Sequence, residues 1–262
     1  MDNKLEPYVP YLGNKFGILD QIYATIRMLD IVNPRRVIDA FCGGGSFAYF
    51  MAMHGYKVLA NDLQADIIGL HNAIKTEPAL VMSWGKDFVT KDYFDRIKTE
   101  NTPRSALLKQ IFSFGNNGAD YFTALTREDE KRKEFYEGTS EPNSRMRHVE
   151  DIMLAYTRYK MDIDFIAGSY EDLELDEFDL VYCDPPYANA GGYVTGDFDH
   201  EAFYKWALAQ RCLVLISEYN MPEGFVLVDE YSKYVESSRA ARAKVAVERL
   251  YANKPVHKLA LF

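Results

Sequence analysis

An apolar run that stops at two consecutive prolines constrains this chain more than any other stretch. Phe178, Leu180, Val181 and Tyr182 read as a buried strand, and after Cys183 come Asp184-Pro185-Pro186-Tyr187. Proline lacks an N–H and fixes φ, so Pro185 and Pro186 end the strand and stiffen the turn after it. This predicts a carboxylate, free carbonyls and an aromatic face at the C-terminal edge of a sheet, where ligands bind in open α/β folds. Such a turn suits a planar group that carries an amine. Asp184 and a proline carbonyl can accept two amine hydrogens, and Tyr187 can stack on the ring. Alone, the same residues also describe a strand that ends in a tight turn.

A second motif lies far upstream. Arg36-Val37-Ile38-Asp39-Ala40-Phe41 reads as a buried strand, followed by Cys42-Gly43-Gly44-Gly45-Ser46 and a helix through Phe47, Phe50, Met51 and His54. Glycines let backbone approach a ligand closely. The next strand, Lys57 to Asp62, ends in an acid. Gly43-x-Gly45-x-x-Ala48 fits the loose dinucleotide fingerprint, and Asp62 lies near the spacing of its ribose-binding acid. These features point to a nucleoside-bearing cofactor without saying which one.

The rest of the chain arranges itself around these two motifs. Tyr8 to Lys15 is an aromatic-rich entry, and Phe16, Leu19, Ile22, Tyr23, Ile26 and Leu29 then recur at helical spacing. Lys15 therefore stands at a helix start, where the dipole disfavours a cation. Pairing with a ligand and simple solvation both remain open for it. Residues 64 to about 114 read as helical, and Gly115-Asn116-Asn117-Gly118 as a turn, a base-reading element or an ordinary surface loop. A strand is expected at Asp164-Phe165-Ile166-Ala167, before Gly168-Ser169-Tyr170. Glycine-bearing residues 188–199 are expected to form a lid, with Asp199 capping a helix over Phe203 and Trp206. Strands are expected next at Cys212 to Ser217, Phe225 to Val228, Lys233 to Val235 and Val245 to Tyr251. Between the last two lies a basic hairpin loop holding Arg239, Arg242 and Lys244.

The 262 residues suit one large domain, or one domain with an insertion. Net charge is −9, but it is unevenly spread. Residues 161–231 hold 16 acidic and 2 basic side chains, whereas 232–262 hold 7 basic and 2 acidic. A locally basic face is thus compatible with an acidic protein. Cys42, Cys183 and Cys212 are far apart in apolar settings and read as reduced core thiols. The histidines lack metal-ligand spacing, and no metal is assigned. No stretch reaches the roughly 18 uncharged apolar residues of a membrane span. The N-terminus shows no leader pattern, so a cytoplasmic location is expected.

Phe41 to Ser46 followed much later by Asp184-Pro185-Pro186-Tyr187 resembles the S-adenosylmethionine-dependent amino-methyltransferases. The nearest likeness is to the Dam-like, D12-class DNA adenine-N6 methyltransferases of bacteria and phages. The likeness extends to Tyr11-Leu12-Gly13-Asn14-Lys15, Ala60-Asn61-Asp62, Gly168-Ser169-Tyr170, Val214 to Ser217 and Glu248-Arg249-Leu250-Tyr251. The resemblance implies an α/β, Rossmann-like methyltransferase sheet. Residues 1–75 and 161–262 would form the catalytic domain, and 76–160 a mostly helical target-recognition insert. It further implies that Tyr11 and Lys15 lie at the cofactor, that Asp39, Phe41, Gly43 and Gly45 cradle its methionine part, and that Asp62 takes the ribose hydroxyls. Ser169 and Tyr170 would flank the cofactor's adenine, while Asp184, Pro185, Pro186 and Tyr187 hold a target adenine flipped out of duplex DNA. Asn116, Asn117, Arg239, Arg242 and Lys244 are the expected DNA contacts, on a monomer that needs no metal. A restriction-modification setting is compatible with this likeness. Cytosine N4 or RNA offers an equally planar amine, and a catalytically inactive DNA-binding protein is the reading of a different class. A nicotinamide oxidoreductase would leave Asp184 to Tyr187 without a purpose.

Overall fold

The computed structural model describes residues 4–29, 34–87, 89–121, 144–177, 179–187, 198–235 and 244–257. Seven strands form its centre: β1 (Val37–Asp39), β2 (Val58–Asp62), β3 (Ile163–Ala167), β4 (Leu180–Cys183), β5 (Leu213–Glu218), β6 (Val226–Val235) and β7 (Lys244–Ala252). Their order across the sheet is β3-β2-β1-β4-β5-β7-β6. Strands β1 to β5 run parallel to one another, and β7 runs antiparallel to both β5 and β6. This is the mostly parallel, Rossmann-like sheet expected from the sequence.

Parallel strands must be covered on both faces, and their composition reflects that. Every residue of β1, β4 and β5 is buried. Side chains alternate between faces. Val37 and Tyr182 join a core with Ile22, Phe47, Leu70, Leu107 and Val149. Ile38, Val181 and Cys183 join a second core with Phe203 and Val214 on the opposite face. All three cysteines are buried and free.

The helices are α1 (Leu19–Met28), α2 (Ser46–Met53), α3 (Ala65–Thr76), α4 (Pro78–Trp84), α5 (Lys91–Ile97), α6 (Pro103–Phe112), α7 (Arg147–Tyr159) and α8 (His200–Ala209). The expected helical stretch from 64 to 114 is thus four helices. Thr90 caps α5, and Thr102 forms a capping box with Ser105 ahead of α6. Helix α7 lies against α2 and α3 and buries Val149, Ile152 and Ala155, so the covering layer reaches residue 159. Asp199 caps α8 by accepting from the Ala202 N–H at 2.9 Å, as its position predicts.

One expectation is corrected. Phe225 to Val228 and Lys233 to Val235 are not separate strands, because β6 continues through both with a register shift between Leu227 and Asp229. The gap between the two apolar runs, Asp229 to Ser232, is mostly polar but regularly paired strand, and the register shift itself lies at Val228, inside the first run. Val235 pairs with Lys244, and the expected basic loop at residues 236–243 lies outside the described residues.

Strand β1 is flanked by β2 on one side and by β4 on the other. That reversal of strand order opens a crevice at the C-terminal ends of the strands. Asp39 ends β1, Asp62 ends β2, and Asp184 comes directly after β4.

Candidate active site

The loop after β1 is folded tightly. The Gly45 N–H donates to the Cys42 carbonyl at 2.7 Å, and the Cys42 N–H to the Asn61 carbonyl at 2.8 Å. The N-terminal segment lies across it, with the Val9 N–H donating to the Gly44 carbonyl at 2.8 Å. A Cβ on Gly44 would fall 2.3 Å from the Val9 carbonyl oxygen, so only glycine fits there. Gly45 takes φ +76°, a left-handed conformation that side chains resist, as it opens α2.

Beneath this loop are groups that sequence patterns do not reveal. His71 Nε2 donates to the Gly43 carbonyl at 2.8 Å, and the Tyr49 hydroxyl lies 2.8 Å from His71 Nδ1. A carbonyl only accepts, so Nε2 carries the proton and Nδ1 accepts from Tyr49. Burial lowers the His71 pKa to about 4, partly opposed by the Gly43 bond. Asp62 accepts the Gly43 N–H at 2.8 Å and the Gln64 N–H at 2.9 Å. Burial nevertheless raises its pKa. Asp39 is 2% exposed, and its Oδ1 has no hydrogen-bond partner among the described residues. Burial first, then the charges of Asp184 and Asp62, push the Asp39 pKa well up.

A cleft of about 290 Å³ joins the two sequence motifs. Tyr11, Phe41, Gly43, Asp62, Ser169, Tyr170, Asp184 and Pro186 line it, all drawn from the expected site residues. It also takes in Asn61, Leu63, Gln64, Glu171, Phe198 and Asp199, which were not assigned to the site from the sequence. Leu63 had a signal: an apolar residue directly after a strand-ending acid, 68% exposed in the fold. Asn61 was legible only as part of a motif. Its Nδ2 donates to the carbonyls of Ala40 and Gly168, both at 3.1 Å, and so ties the ends of β1 and β3 together. Gln64 Nε2 donates to the Tyr11 hydroxyl at 2.5 Å. The Tyr170 ring packs against Phe41, Phe198 and Trp206.

In the turn that carries Asp184 and Pro186, Pro185 is buried and Tyr187 is 8% exposed, and neither lines the cleft. The Tyr187 hydroxyl is buried without a hydrogen-bond partner among the described residues, and burial, then Asp184, push its pKa far up. A neutral phenol beside a carboxylate presents an aromatic face and one acceptor, the pairing a planar amine requires. Lys15 does not line the cleft. Its ammonium donates to Asp184 at 2.7 Å and to the Gly13 carbonyl at 3.2 Å, and lies 4.9 Å from the Tyr187 ring centroid. Its side chain is 5% exposed, so the solvated reading of Lys15 fails.

Residues 11–212 match the family model of the D12 class N6 adenine-specific DNA methyltransferases. The chain belongs to that family. It is 24% identical over 234 residues to a DNA N-6-adenine-methyltransferase of Escherichia phage P1, covering 83% of this chain and 29% of that protein. It is 23% identical to a DNA adenine methylase of Vibrio cholerae, covering 71% of this chain and 66% of that protein. The chain therefore spans less than two thirds of either relative. Among solved structures it is similar to an rRNA methyltransferase, aviRa, from Streptomyces viridochromogenes. That likeness has a TM-score of 0.44 and 12% identity, covering 92% of this chain and 85% of that one.

In this D12-class chain Gly45 and Asp39 do not line the cleft. Asn117 accepts the N–H groups of Ala119 and Asp120 and donates to Asp120, so its side chain is engaged in its own turn. Asn116 takes φ +57° in the same turn. Arg239, Arg242 and the glycine-bearing residues 188–197 lie outside the described residues. Lys244 is the first residue of β7. Among the described residues no cluster could hold a metal ion, and no helix is long and apolar enough to cross a membrane.

Proposed function

We propose that the protein methylates N6 of an adenine flipped out of a short, specific duplex DNA sequence, using S-adenosylmethionine. The observation that carries this reading is one cleft shared by Asp62, Gly43 of the glycine loop, and Asp184 and Pro186 of the turn after β4, in a chain of the D12 family.

The residues fit the cofactor. Gly43 backbone lines the cleft without a side chain to fill it, and Asp39 Oδ1, just before the loop, is buried without a hydrogen-bond partner among the described residues. Asp62 would hold the ribose hydroxyls with acceptor capacity left beyond its two backbone bonds. Phe41, Leu63 and Tyr170 would enclose the adenine, and Ser169 would border it. When bound, the cofactor supplies an electrophilic methyl group on a sulfonium.

The chain's own residues do the rest. The adenine N6 lone pair is delocalised into the ring and is a poor nucleophile. Asp184 and the Pro185 carbonyl would accept the N6 hydrogens, favour a more tetrahedral nitrogen and stabilise its growing positive charge. Tyr187 would stack on the base for roughly 1–3 kcal/mol and hold it in line. No side chain needs to form a covalent bond: Cys183, beside Asp184, is buried and its pKa is pushed well up by burial. Residues 76–160 would read the target sequence, with Asn116 and Asn117 among them. Arg239, Arg242 and Lys244 would contact phosphates, which position the duplex without specifying it. The protein would act as a cytoplasmic monomer.

The test is transfer of labelled methyl from S-adenosylmethionine to unmethylated duplex DNA, read by nucleoside mass spectrometry. N6-methyladenine is expected. N4-methylcytosine as the product would overturn the target base, and no product on DNA would overturn the reading.

A further inference from the structure

Lys15 occupies a contested position. An ammonium that donates to Asp184 beside the face of Tyr187 fills the role proposed for the target amine. A carboxylate already bound to a cation is a weaker acceptor for N6–H. The same cation opposes positive charge growing on N6. If Lys15 stays on Asp184, the amine clamp works against itself.

A second carboxylate lies within reach. Glu248 Oε2 is 4.0 Å from Lys15 Nζ, and the Glu248 side chain is 8% exposed. Its place is set by the sheet. Arg249 faces Glu218 in the last pair of β7 with β5, so Glu248 stands one residue beyond, at the edge where β4 delivers Asp184. Leu250, two residues on, is buried on the same side, whereas Arg249 points away to pair with Glu230. Glu248 does not line the cofactor cleft. With all three groups charged, Asp184, Lys15 and Glu248 carry one net negative charge. That matches the single positive charge that develops on N6. Without Glu248 the sum is zero.

We propose that Glu248 is a positioning residue that draws the Lys15 ammonium off Asp184 as the target amine arrives, and so frees Asp184 to accept N6–H. The inference rests on the amine-clamp reading of Asp184. Lys15 need move little, because its ammonium already lies 2.7 Å from Asp184 and 4.0 Å from Glu248. Its rejection of amine-free bases is then built in: a ring without the amine offers no donor to replace the ammonium, and Lys15 stays where it is.

The experiment compares two duplexes carrying the chain's own methylation site, once sequencing has found it. One holds adenine at the target position and the other holds purine, which lacks the amine. Binding is measured with S-adenosylhomocysteine present, alongside single-turnover methyl transfer to the adenine duplex and calorimetry of the cofactor. The wild-type protein should prefer the adenine duplex. Glu248→Gln, of nearly the same shape, should lose that preference by about tenfold and slow transfer similarly, with cofactor affinity unchanged within about twofold. Adding Lys15→Met to Glu248→Gln should restore the preference, because the ammonium that blocks Asp184 is gone. A merely structural Glu248 would weaken both duplexes alike, and the second substitution would worsen rather than rescue. Either result, or a wild-type preference in Glu248→Gln, overturns the proposal. A wild-type protein that binds both targets equally would instead fail the amine-clamp reading itself.

Discussion

Lys15 and Asp184 stand 169 residues apart in the chain and 2.7 Å apart in the fold. Their ion pair joins the N-terminal entry segment to the turn after β4 and is largely shielded from water. Removing one partner of such a pair leaves an uncompensated charge. Lys15→Met should therefore cost about 3 kcal/mol of stability, read by denaturant unfolding. A loss below about 0.5 kcal/mol would mean that Asp184 finds water instead.

Asp184→Asn keeps the shape of the clamp and removes its charge. Turnover should fall at least about 100-fold, the scale seen when a group that stabilises transition-state charge is removed. Calorimetry should still show cofactor binding, since Asp62 and the glycine loop are untouched. Wild-type turnover in this variant would exclude Asp184 from the chemistry.

Gly44→Ala places a Cβ 2.3 Å from the Val9 carbonyl oxygen, so the loop or the N-terminal segment must shift. Cofactor affinity should drop about 10- to 100-fold, in line with an overpacking cost of about 1–3 kcal/mol. Gly17→Ala is the control, because nothing lies within 4 Å of its added Cβ. Equal affinities in the two variants would show that the loop does not carry the cofactor.

His71 makes a prediction about acid stability. Its pKa is about 4 in the fold against 6.5 when unperturbed. Below pH 6.5 the unfolded chain takes up a proton that the folded chain refuses. The His71 contribution is thus fully present above pH 6.5 and is lost as pH falls through about 4. The loss amounts to about 3 kcal/mol. Urea midpoints measured from about pH 7 to about pH 4 should fall less steeply for His71→Gln than for the wild type. Parallel curves would remove His71 from the acid response.

Asp39 has the opposite sign. Its pKa is raised, so ionisation is resisted by the fold, and stability is lost as pH rises from the unperturbed carboxylate value of 3.8 towards the raised one. Asp39→Asn should melt higher than the wild type at neutral pH, by roughly 2–4 °C for each kcal/mol recovered. It should also bind S-adenosylmethionine more weakly. A variant that melts higher and binds the cofactor as well as the wild type would make Asp39 a structural liability with no role at the site.

The local motifs were legible because each is written in adjacent residues. Two prolines after an apolar run must end a strand, and three glycines after another must make a close loop; an acid at a strand end is brought to the sheet edge but, as Asp39 shows, not always into the crevice. Asp62 and Asp184 could therefore be placed at one edge before any contact was known, while Phe41 and Tyr170 were placed there by the family resemblance. The continuity of β6 was not legible, because Asp229, Glu230 and Ser232 interrupt the apolar pattern just as a turn does, although they pair with β7. Nor was the burial of Lys15, since a lysine at a helix start has the same sequence signature whether it faces water or a carboxylate. Spacing in sequence encodes period and local geometry, while an ion pair depends on which distant strands become neighbours. The chain by itself determined the chemistry available at the ends of β1, β2 and β4. Only the tertiary structure decided that Lys15 would sit between Asp184 and Glu248, because that meeting requires β7 to turn antiparallel beside β5 and bring its carboxylate to the edge where β4 ends.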